Sequence, residues 1–215
     1  DYYGYGQYPN IIGNLEMEQL LLHMGKGADV PLSASDNESP TVGFVQCVGS
    51  RNSDHLSYCS SVCCSATIKQ IKQLKMLRPN AKCIVYYQDM RCAGFEEDLY
   101  QELRSDSDVL FVRGFPRITE TDPSDGRMSL VIEDTFSGKP IDSRLDLLVL
   151  AGGMQPSEGG LEFAELSGLP LNRHKFFSGH YQCYPEESQR TGILTAGCAR
   201  GPMNVSQSIE STGKA

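Results

Sequence analysis

The chain has 215 residues, a formal net charge of −8 and 40% hydrophobic residues, which is typical of a globular protein with a substantial core. The acidic balance, with a pI of about 5.0, argues against a nucleic-acid-binding surface, which needs clustered Lys and Arg. The most apolar segment, LDLLVLA at 145–151, is far shorter than the roughly 20 residues that cross a bilayer, so no membrane span is expected.

The first 40 residues predict a connecting segment. Residues 1–13 are rich in Gly and Tyr and indicate a loop, whereas LEMEQLLLHM at 15–24 predicts a short helix capped by Asn14. Residues 25–40 combine Gly, Pro, Ser and Asp and predict a linker. The chain opens on DYYGYGQYP without a start methionine, and it ends on STGKA within an expected helix. We therefore expect a piece of a longer protein.

Residues 41–150 alternate between strands and helices. The expected order is strand 41–48, helix 60–77, strand 82–88, helix 95–106 and strand 109–114. This β-α-β-α-β order predicts a parallel sheet with right-handed crossovers. RITETD and RMSLVIED, joined by a turn at DPSDG, then predict a β-hairpin, and LDLLVLAGG at 145–153 predicts a buried return strand.

The order of these elements indicates the fold class. A parallel sheet, a hairpin excursion and a return strand ending in glycines are the plan of a nucleotide-binding domain in flavoproteins with two dinucleotide-binding folds. We expect an α/β fold with a Rossmann-like parallel sheet over residues 41–150. GILTAG at 192–197 predicts another strand, followed by a helix whose first turn carries Pro202. Residues 151–215 are expected to form the C-terminal part of an FAD-binding domain.

Four of the eight cysteines are clustered, with the spacing C-x11-C-x3-CC; they are Cys47, Cys59, Cys63 and Cys64. Clustering favours a metal centre over a secreted disulfide framework, which spreads its cysteines. On an ideal helix Cys64 lies about 100° from Cys63. Both can bind one centre only if the backbone there is not regular helix or if the centre is large.

The need for a large centre favours an iron–sulfur cluster, because a cubane cluster is large and needs several cysteines. A tetrahedral zinc site is less favoured, since zinc prefers two C-x2-4-C pairs. A redox dithiol among Cys59, Cys63 and Cys64 and a set of buried free cysteines remain open alternatives. Cys83 lies within an apolar strand and is expected in the core.

The turn between the first strand and the first helix argues against a nicotinamide cofactor. In an NAD(P) domain this turn carries G-x-G-x-x-G. Here it reads QCVGSRNSDHLSYCSSVCC, which is longer and lacks that fingerprint. We therefore predict that the 41–150 domain does not bind NAD(P)H. Arg51, Lys69 and Lys72 are near the cysteines in sequence and can offset negative charge there, although a solvated surface is the simpler explanation of the lysines. His55 is expected to be an exposed loop residue.

Several segments, read in order, resemble the A subunit of heterodisulfide reductases and the related A subunit of the quinone-interacting membrane-bound oxidoreductase of sulfate reducers. They are FVQCVGSR, YCSSVCC, FEEDLYQELR, LDLLVLAGGMQPSEG and TAGCARGP. The resemblance implies a thioredoxin-reductase-like fold, with FAD and an iron–sulfur cluster in place of a disulfide. It also implies that the clustered cysteines are the cluster ligands. The family's first glycine-rich FAD fingerprint would precede residue 1.

TAGCARGP is the segment that we expect to contact the flavin. Many such flavoproteins carry a Gly-Asp pair here, and the Asp contacts the ribitol of FAD. In this sequence Cys198 follows Gly197, so backbone N–H groups at the next helix start are expected to supply more of the contact. We predict that Gly197, Cys198 and Pro202 line FAD. An ordinary tight turn before a surface helix, or Cys198 as a redox thiol, are the alternatives.

Three functional hypotheses follow. The first is an electron-transfer module that passes electrons between FAD and a 4Fe-4S cluster; the second is a thiol/disulfide oxidoreductase that uses flavin. The third is a zinc-binding structural module of a larger complex. The resemblance implies other subunits of a redox complex as partners, leaves a homodimer open, and implies a cytoplasmic location, either free or associated with a membrane-bound complex.

Overall fold

The computed structural model describes residues 2–28, 32, 39–121, 127–135, 138–180, 184 and 186–215. The chain divides into two compact units. Residues 1–51 and 63–152 form one, which we call the sheet unit, and residues 52–62 and 153–215 form the other, which we call the second unit.

The sheet unit contains eight strands and three α-helices among its described residues. They are β1 (Ile11–Gly13), α1 (Asn14–Gly25), β2 (Thr41–Val45), α2 (Cys63–Leu77), β3 (Lys82–Tyr87), α3 (Glu96–Arg104), β4 (Val109–Arg113), β5 (Arg117–Thr121), β6 (Met128–Glu133), β7 (Pro140–Leu145) and β8 (Leu147–Leu150). A short 3-10 helix, Tyr2–Gly4, precedes β1. The second unit contains α4 (Glu158–Ser167), a 3-10 helix at Gly197–Ala199 and α5 (Val205–Lys214). No described helix is long and apolar enough to cross a membrane.

Two sheets make up the sheet unit. The larger has the order β1-β8-β2-β3-β4, and every neighbouring pair is parallel. The smaller is antiparallel, with the order β5-β6-β7. The predicted fold class, a Rossmann-like parallel sheet with an antiparallel excursion, is therefore confirmed.

The parallel sheet has an apolar layer on each face. Phe44 of β2 packs in one layer with buried residues of the helices, including Ile68 and Ile71 of α2. The next residue, Val45, points to the opposite layer, which contains Met128 and other buried side chains of the antiparallel sheet. The alternation along β2 follows from the two-residue period of a strand, and burial on both faces explains why the segment is apolar throughout.

Gly43 marks the point where the antiparallel sheet approaches β2 closely. A Cβ atom built on Gly43 would lie 2.3 Å from Cδ1 of Leu145, the last residue of β7. The missing side chain therefore leaves room for Leu145, which is fully buried.

Four predictions near the chain ends are wrong. The loop expected over residues 1–13 contains β1, which adds a strand beside β8. GILTAG at 192–197 is not a strand; Leu194 makes one isolated bridge to Glu187, and a 3-10 helix begins at Gly197. Pro202 precedes α5, which begins at Val205 with Asn204 as its N-cap. Asn14 is the first residue of α1 rather than its cap, since Gly13 takes that place.

Besides β1, one further strand and one α-helix were not predicted. The hairpin gains a third strand, β7, whose sequence PIDSRL has a weak pattern of alternation. Helix α4 begins after Ser157, whose side chain accepts a hydrogen bond from the N–H of Gly160 at 3.1 Å. The predicted turn at DPSDG, residues 122–126, and most of the linker over 29–38 lie outside the described residues.

The junction between β7 and β8 depends on a buried carboxylate. Asp146 is 4% exposed; its Oδ2 accepts the N–H of Thr41 at 2.7 Å and its Oδ1 lies 2.9 Å from Nε of Arg127. These contacts connect the start of β2 to the antiparallel sheet. A carboxylate in such a place is stable only because both oxygens have donors.

Removal of this charge should destabilise the protein. We expect Asp146→Asn to lower the free energy of unfolding by about 2 kcal/mol, because the guanidinium of Arg127 loses its anion. Asp142→Asn is the matched control, since it removes an exposed carboxylate from β7. Urea denaturation measures both; equal midpoints for the two variants would contradict the role given to Asp146.

Candidate functional site

Cys47 lies two residues beyond the end of β2, in a turn with unusual backbone angles. The turn is closed by a hydrogen bond from the N–H of Ser50 to the carbonyl of Cys47 at 3.2 Å. Cys47 and Arg51 have φ values of 59° and 57°, in the left-handed region that non-glycine residues rarely adopt. Such a conformation costs on the order of 1–3 kcal/mol, and it persists where surrounding contacts fix it.

Hydrogen bonds donated to neighbouring strand ends fix this turn. The N–H of Gln46 donates to the carbonyl of Tyr86 at the end of β3, at 2.9 Å. On the other side, the N–H of Val48 donates to the carbonyl of Ala151 just after β8, at 3.0 Å. The carboxyl ends of β3 and β8 therefore hold the Cys47 turn at this edge of the sheet.

Cys63 and Cys64 are the first two residues of α2, and each is 8% exposed. The Sγ of Cys64 lies 4.0 Å from the carbonyl of Asp89, two residues after β3. In the next turn of α2, the hydroxyl of Thr67 accepts a buried hydrogen bond from Nε2 of Gln46 at 2.7 Å. This bond attaches the start of α2 to the residue that precedes Cys47. Cys47, Cys63 and Cys64 thus belong to the same edge of the sheet unit.

Cys63 and Cys64 start a regular helix, which restricts the directions of their two thiols. Because Cys63 and Cys64 are both in regular helix, a non-helical backbone cannot be the reason that both thiols bind one centre. Two adjacent helical thiols point in directions about 100° apart. Among the residues that the structure describes, no group of three or more His, Cys, Asp or Glu side chains is placed to hold a metal ion.

Cys59 is in the second unit, where its segment is well anchored. The neighbouring Ser60 accepts the N–H of Met154 at 2.8 Å, and the hydroxyl of Tyr58 donates to the carbonyl of Met154 at 3.0 Å. The ring of Tyr58 packs against the ring of His174, with centroids 4.7 Å apart. The N–H of Ser61 points at the Cys59 sulfur, at 3.4 Å. Local contacts therefore fix the backbone around this predicted ligand within its own unit.

The charged residues near the cysteines have different partners. Arg51 forms an ion pair with Asp89, with 2.7 Å between Nη2 and Oδ2. Lys69 and Lys72 instead pair with Glu18 of α1 and Glu102 of α3, at 2.7 and 2.8 Å. The lysines are thus surface residues of α2, and Arg51 is the cation at the turn. Asp89 was not predicted to belong to the site. Its position just beyond the end of β3, at the sheet edge where ligands bind in this class of fold, is the feature of the sequence that could have indicated it.

The segment predicted to contact the flavin forms a tight turn before α5. Gly197 has a φ of 58°, which favours glycine, and its N–H donates to the buried hydroxyl of Ser211 at 3.1 Å. Cys198 is exposed, and its Sγ lies 3.6 Å from the carbonyl of Met203. These contacts hold the turn against the helix that follows it.

At the start of α5, side chains of the same segment accept hydrogen bonds from two backbone N–H groups. The Asn204 side chain accepts the N–H of Gln207 at 2.8 Å, and the Gln207 side chain accepts the N–H of Asn204 at 3.0 Å. These two N–H groups are therefore already used. Pro202 is in the connection before the helix, so the prediction that it occupies the first turn is wrong. It remains close in sequence to Cys198 and Gly197.

Cys83 is confirmed as a core residue. It is 1% exposed in β3, and burial raises the pKa of its thiol to about 12. Because the thiolate is the reactive form, this thiol should be inert in the folded protein. Cys198, by contrast, is exposed.

Alkylation should separate these two thiols. At pH 8 we expect iodoacetamide to modify Cys198 in the folded protein while Cys83 stays unmodified, and both should react in urea. Mass spectrometry of the digested protein gives the extent of labelling at each site. Labelling of Cys83 at the rate of Cys198 without denaturant would show that β3 is not part of a closed core.

Known proteins align with most of this chain at about one-third identity. The chain is 32% identical over 211 residues to the iron-sulfur A subunit of the CoB–CoM heterodisulfide reductase of Methanocaldococcus jannaschii, covering 96% of this chain and 32% of that protein. It is 33% identical over 212 residues to the A subunit of the H2/formate:CoB-CoM heterodisulfide, ferredoxin reductase of Methanococcus maripaludis, with the same coverage. No family model matches the sequence.

A solved structure supports the fold. Thioredoxin reductase from Lactococcus lactis superposes with a TM-score of 0.53 at 11% identity, covering 85% of this chain and 52% of that one. At this identity the likeness concerns the fold alone. The resemblance seen in the sequence is confirmed: over 96% of its length the chain is homologous to about a third of the A subunit of heterodisulfide reductases.

Proposed function

We propose that this chain is an electron-transfer module of an oxidoreductase related to heterodisulfide reductase, working between FAD and a 4Fe-4S cluster. The observation that carries the proposal is the position of Cys47, Cys63 and Cys64 at the carboxyl edge of the parallel sheet. In dinucleotide-binding domains the same edge, between first strand and first helix, holds the pyrophosphate. Here thiols stand where that ligand would bind, and several homologues are named iron-sulfur subunits.

The protein's own residues would bind the cluster and shield it from solvent. When bound, such a cluster supplies one-electron transfer. Cys63 and Cys64 are buried at the start of α2, where the positive end of the helix dipole favours anionic thiolates. The backbone N–H groups of Gln46 and Val48, on either side of Cys47, donate to two strand ends and so fix the position of Cys47 without relying on its side chain. The role of Cys59 as the fourth thiolate is supported by the sequence spacing and by the resemblance.

The proposed flavin contacts belong to the second unit. Gly197 supplies a left-handed turn that allows close backbone approach, and Cys198 is exposed beside it. We propose that residues 151–215 contribute one part of an FAD site, with Gly197, Cys198 and Pro202 at the isoalloxazine or ribitol end. We further propose that 41–150 is the cluster-bearing, NAD(P)-domain-like module; residues 1–40, predicted to connect it to the flavin domain, contribute β1 and α1 to the same unit. The partners would be other subunits of a redox complex.

A thiol/disulfide mechanism and a zinc module are the competing hypotheses, and one set of measurements separates them. The iron–sulfur proposal requires iron and inorganic sulfide in anaerobically purified protein, with fewer than about two irons per chain counting against it. A redox dithiol requires a change of two thiols on mild reduction without iron. A structural zinc site requires retained zinc without visible absorbance.

Substitution of a proposed ligand and of a core cysteine should have opposite effects. We expect Cys63→Ser to lose or convert the cluster, with bleached brown absorbance and lower iron content, because thiolate ligands are hard to replace. Cys83→Ala, the matched control, removes little volume from β3 and should cost on the order of 1 kcal/mol of stability with iron retained. Iron analysis and absorbance spectra measure both.

Two outcomes would contradict this ligand assignment. Full iron content in both variants would show that Cys63 is not a ligand. Loss of iron in both would show that Cys83, although buried in β3, supports the centre directly.

The sheet unit should not bind nicotinamide nucleotides. Its connection between β2 and α2 lacks the glycine fingerprint, and thiols occupy the start of the helix. In a fluorescence titration of the protein with NADH, we expect no saturable binding that depends on residues 41–150. Micromolar affinity abolished by a substitution within the Cys47 turn, such as Gly49→Asp, would contradict this expectation.

A further inference from the structure

Residues 195–200, which we call the flavin loop, are held at both ends by Glu186. At the start of the loop, the N–H of Thr195 donates to the backbone carbonyl of Glu186 at 2.8 Å. At its end, Nη1 of Arg200 lies 3.2 Å from Oε1 of the Glu186 carboxylate. The backbone and the side chain of one residue therefore bind the two ends of the loop that carries Gly197 and Cys198.

A narrow antiparallel turn places Glu186 beside the flavin loop. The N–H of Ser188 donates to the carbonyl of Ile193 at 3.2 Å, and Glu187 makes an isolated bridge with Leu194. Neighbouring side chains of an extended segment point to opposite sides, which explains why Glu186 is buried whereas Glu187 is exposed. Backbone pairing thus directs the Glu186 carboxylate inward, and Glu187 is a neighbour of the same chemistry outside the contact.

The ion pair between Glu186 and Arg200 is largely shielded from solvent. The two side chains are 11% and 18% exposed, respectively. Nε of Arg200 is buried and has no hydrogen-bond partner among the described residues, so the Glu186 carboxylate is the acceptor that orients this guanidinium. Removal of one member of a buried pair leaves the other as an uncompensated charge. The pair therefore strongly favours the arrangement in which its two charges meet.

The backbone of the flavin loop changes direction between its two anchored ends. The N–H of Arg200 donates to the carbonyl of Gly197 at 3.0 Å, and Gly197 has a left-handed φ of 58°. The carbonyl of Ala199 accepts the N–H of Phe177, also at 3.0 Å. The position of Arg200 therefore determines how the turn at Gly197 closes, and the carboxylate of Glu186 determines the position of the Arg200 side chain.

We infer that Glu186, acting through Arg200, is a positioning residue for the flavin loop. The inference rests on the proposed function, in which this loop contributes to an FAD site. A loop binds a ligand most tightly when it is already in the binding conformation, because the apparent Kd rises as that conformation becomes less populated. In this role Glu186 does not touch FAD; it fixes Arg200, and Arg200 fixes the turn.

Hydrogen–deuterium exchange measured by mass spectrometry tests the anchoring without any cofactor. In Glu186→Gln, a peptide that contains the amides of Thr195 and Arg200 should exchange on the order of tenfold faster, because the loop opens more often. A peptide from α4, in the same unit, should keep the parent's rate. Glu187→Gln, the matched control, removes an exposed carboxylate and should change neither peptide. An unchanged loop peptide in Glu186→Gln, or an equal acceleration in α4, would overturn the inference.

Titration with FAD, followed by the quenching of flavin fluorescence, tests the consequence for binding. Under conditions in which far-UV circular dichroism shows folded protein, Glu186→Gln should raise the Kd for FAD about tenfold, whereas Glu187→Gln should not. Arg200→Met should have the same effect as Glu186→Gln, and the double variant should be no worse than either, since all three break one pair. Additive losses would show that Arg200 contacts FAD itself, and they would refute the positioning role.

The double variant also keeps the test decisive if a single variant fails to fold. Glu186→Gln combined with Arg200→Met leaves no unpaired buried charge, so it should fold while lacking the ion pair. Exchange and FAD affinity equal to the parent's in this variant would overturn the inference. A parent protein that binds no FAD refutes the proposed flavin site, and the inference with it. A parent that binds FAD, with affinity unchanged in Glu186→Gln and Arg200→Met, refutes only the positioning role.

Discussion

The candidate site depends on one constraint, which is that parallel strands end at a common edge and leave backbone groups there to be satisfied. β2, β3 and β8 lie side by side in the sheet. The carbonyl groups of Tyr86 and Ala151, at or just beyond the ends of β3 and β8, accept the N–H groups of Gln46 and Val48. The residue between these two donors is Cys47. The sheet thus fixes Cys47 through backbone hydrogen bonds of the two adjacent residues. This constraint does not depend on the surrounding side chains.

This constraint accounts for the strained turn and for the charges near it. With its flanking residues fixed, Cys47 is held in a left-handed conformation that would otherwise be rare. The same edge supplies Asp89 after β3, which holds Arg51 in place, and the start of α2, which supplies two buried thiols. In this class of fold the same edge usually binds a pyrophosphate, whereas here it carries Cys47, Cys63, Cys64 and Arg51.

Strong patterns in the sequence predicted much of this fold, and weak ones did not. The apolar runs of β2, β3, β4 and β8 and the periodicity of α2 gave the parallel sheet, because residues buried on both faces must be apolar. β1 has three residues and β7 has mixed polarity, so neither carries a local signal; pairing with a neighbouring strand creates them. GILTAG has the composition of a strand, yet only Leu194 makes a bridge. The cysteine spacing identified candidate ligands, whereas the Arg51–Asp89 pair depends on a tertiary contact between residues 38 positions apart.

The most direct test of the central claim is anomalous scattering at the iron absorption edge from crystals of the anaerobically purified protein. The expected result is iron peaks within bonding distance of the sulfur atoms of Cys47, Cys59, Cys63 and Cys64. A disulfide among these cysteines, a single zinc ion, or iron bound elsewhere in the protein would contradict the assignment of this sheet edge as the cluster site.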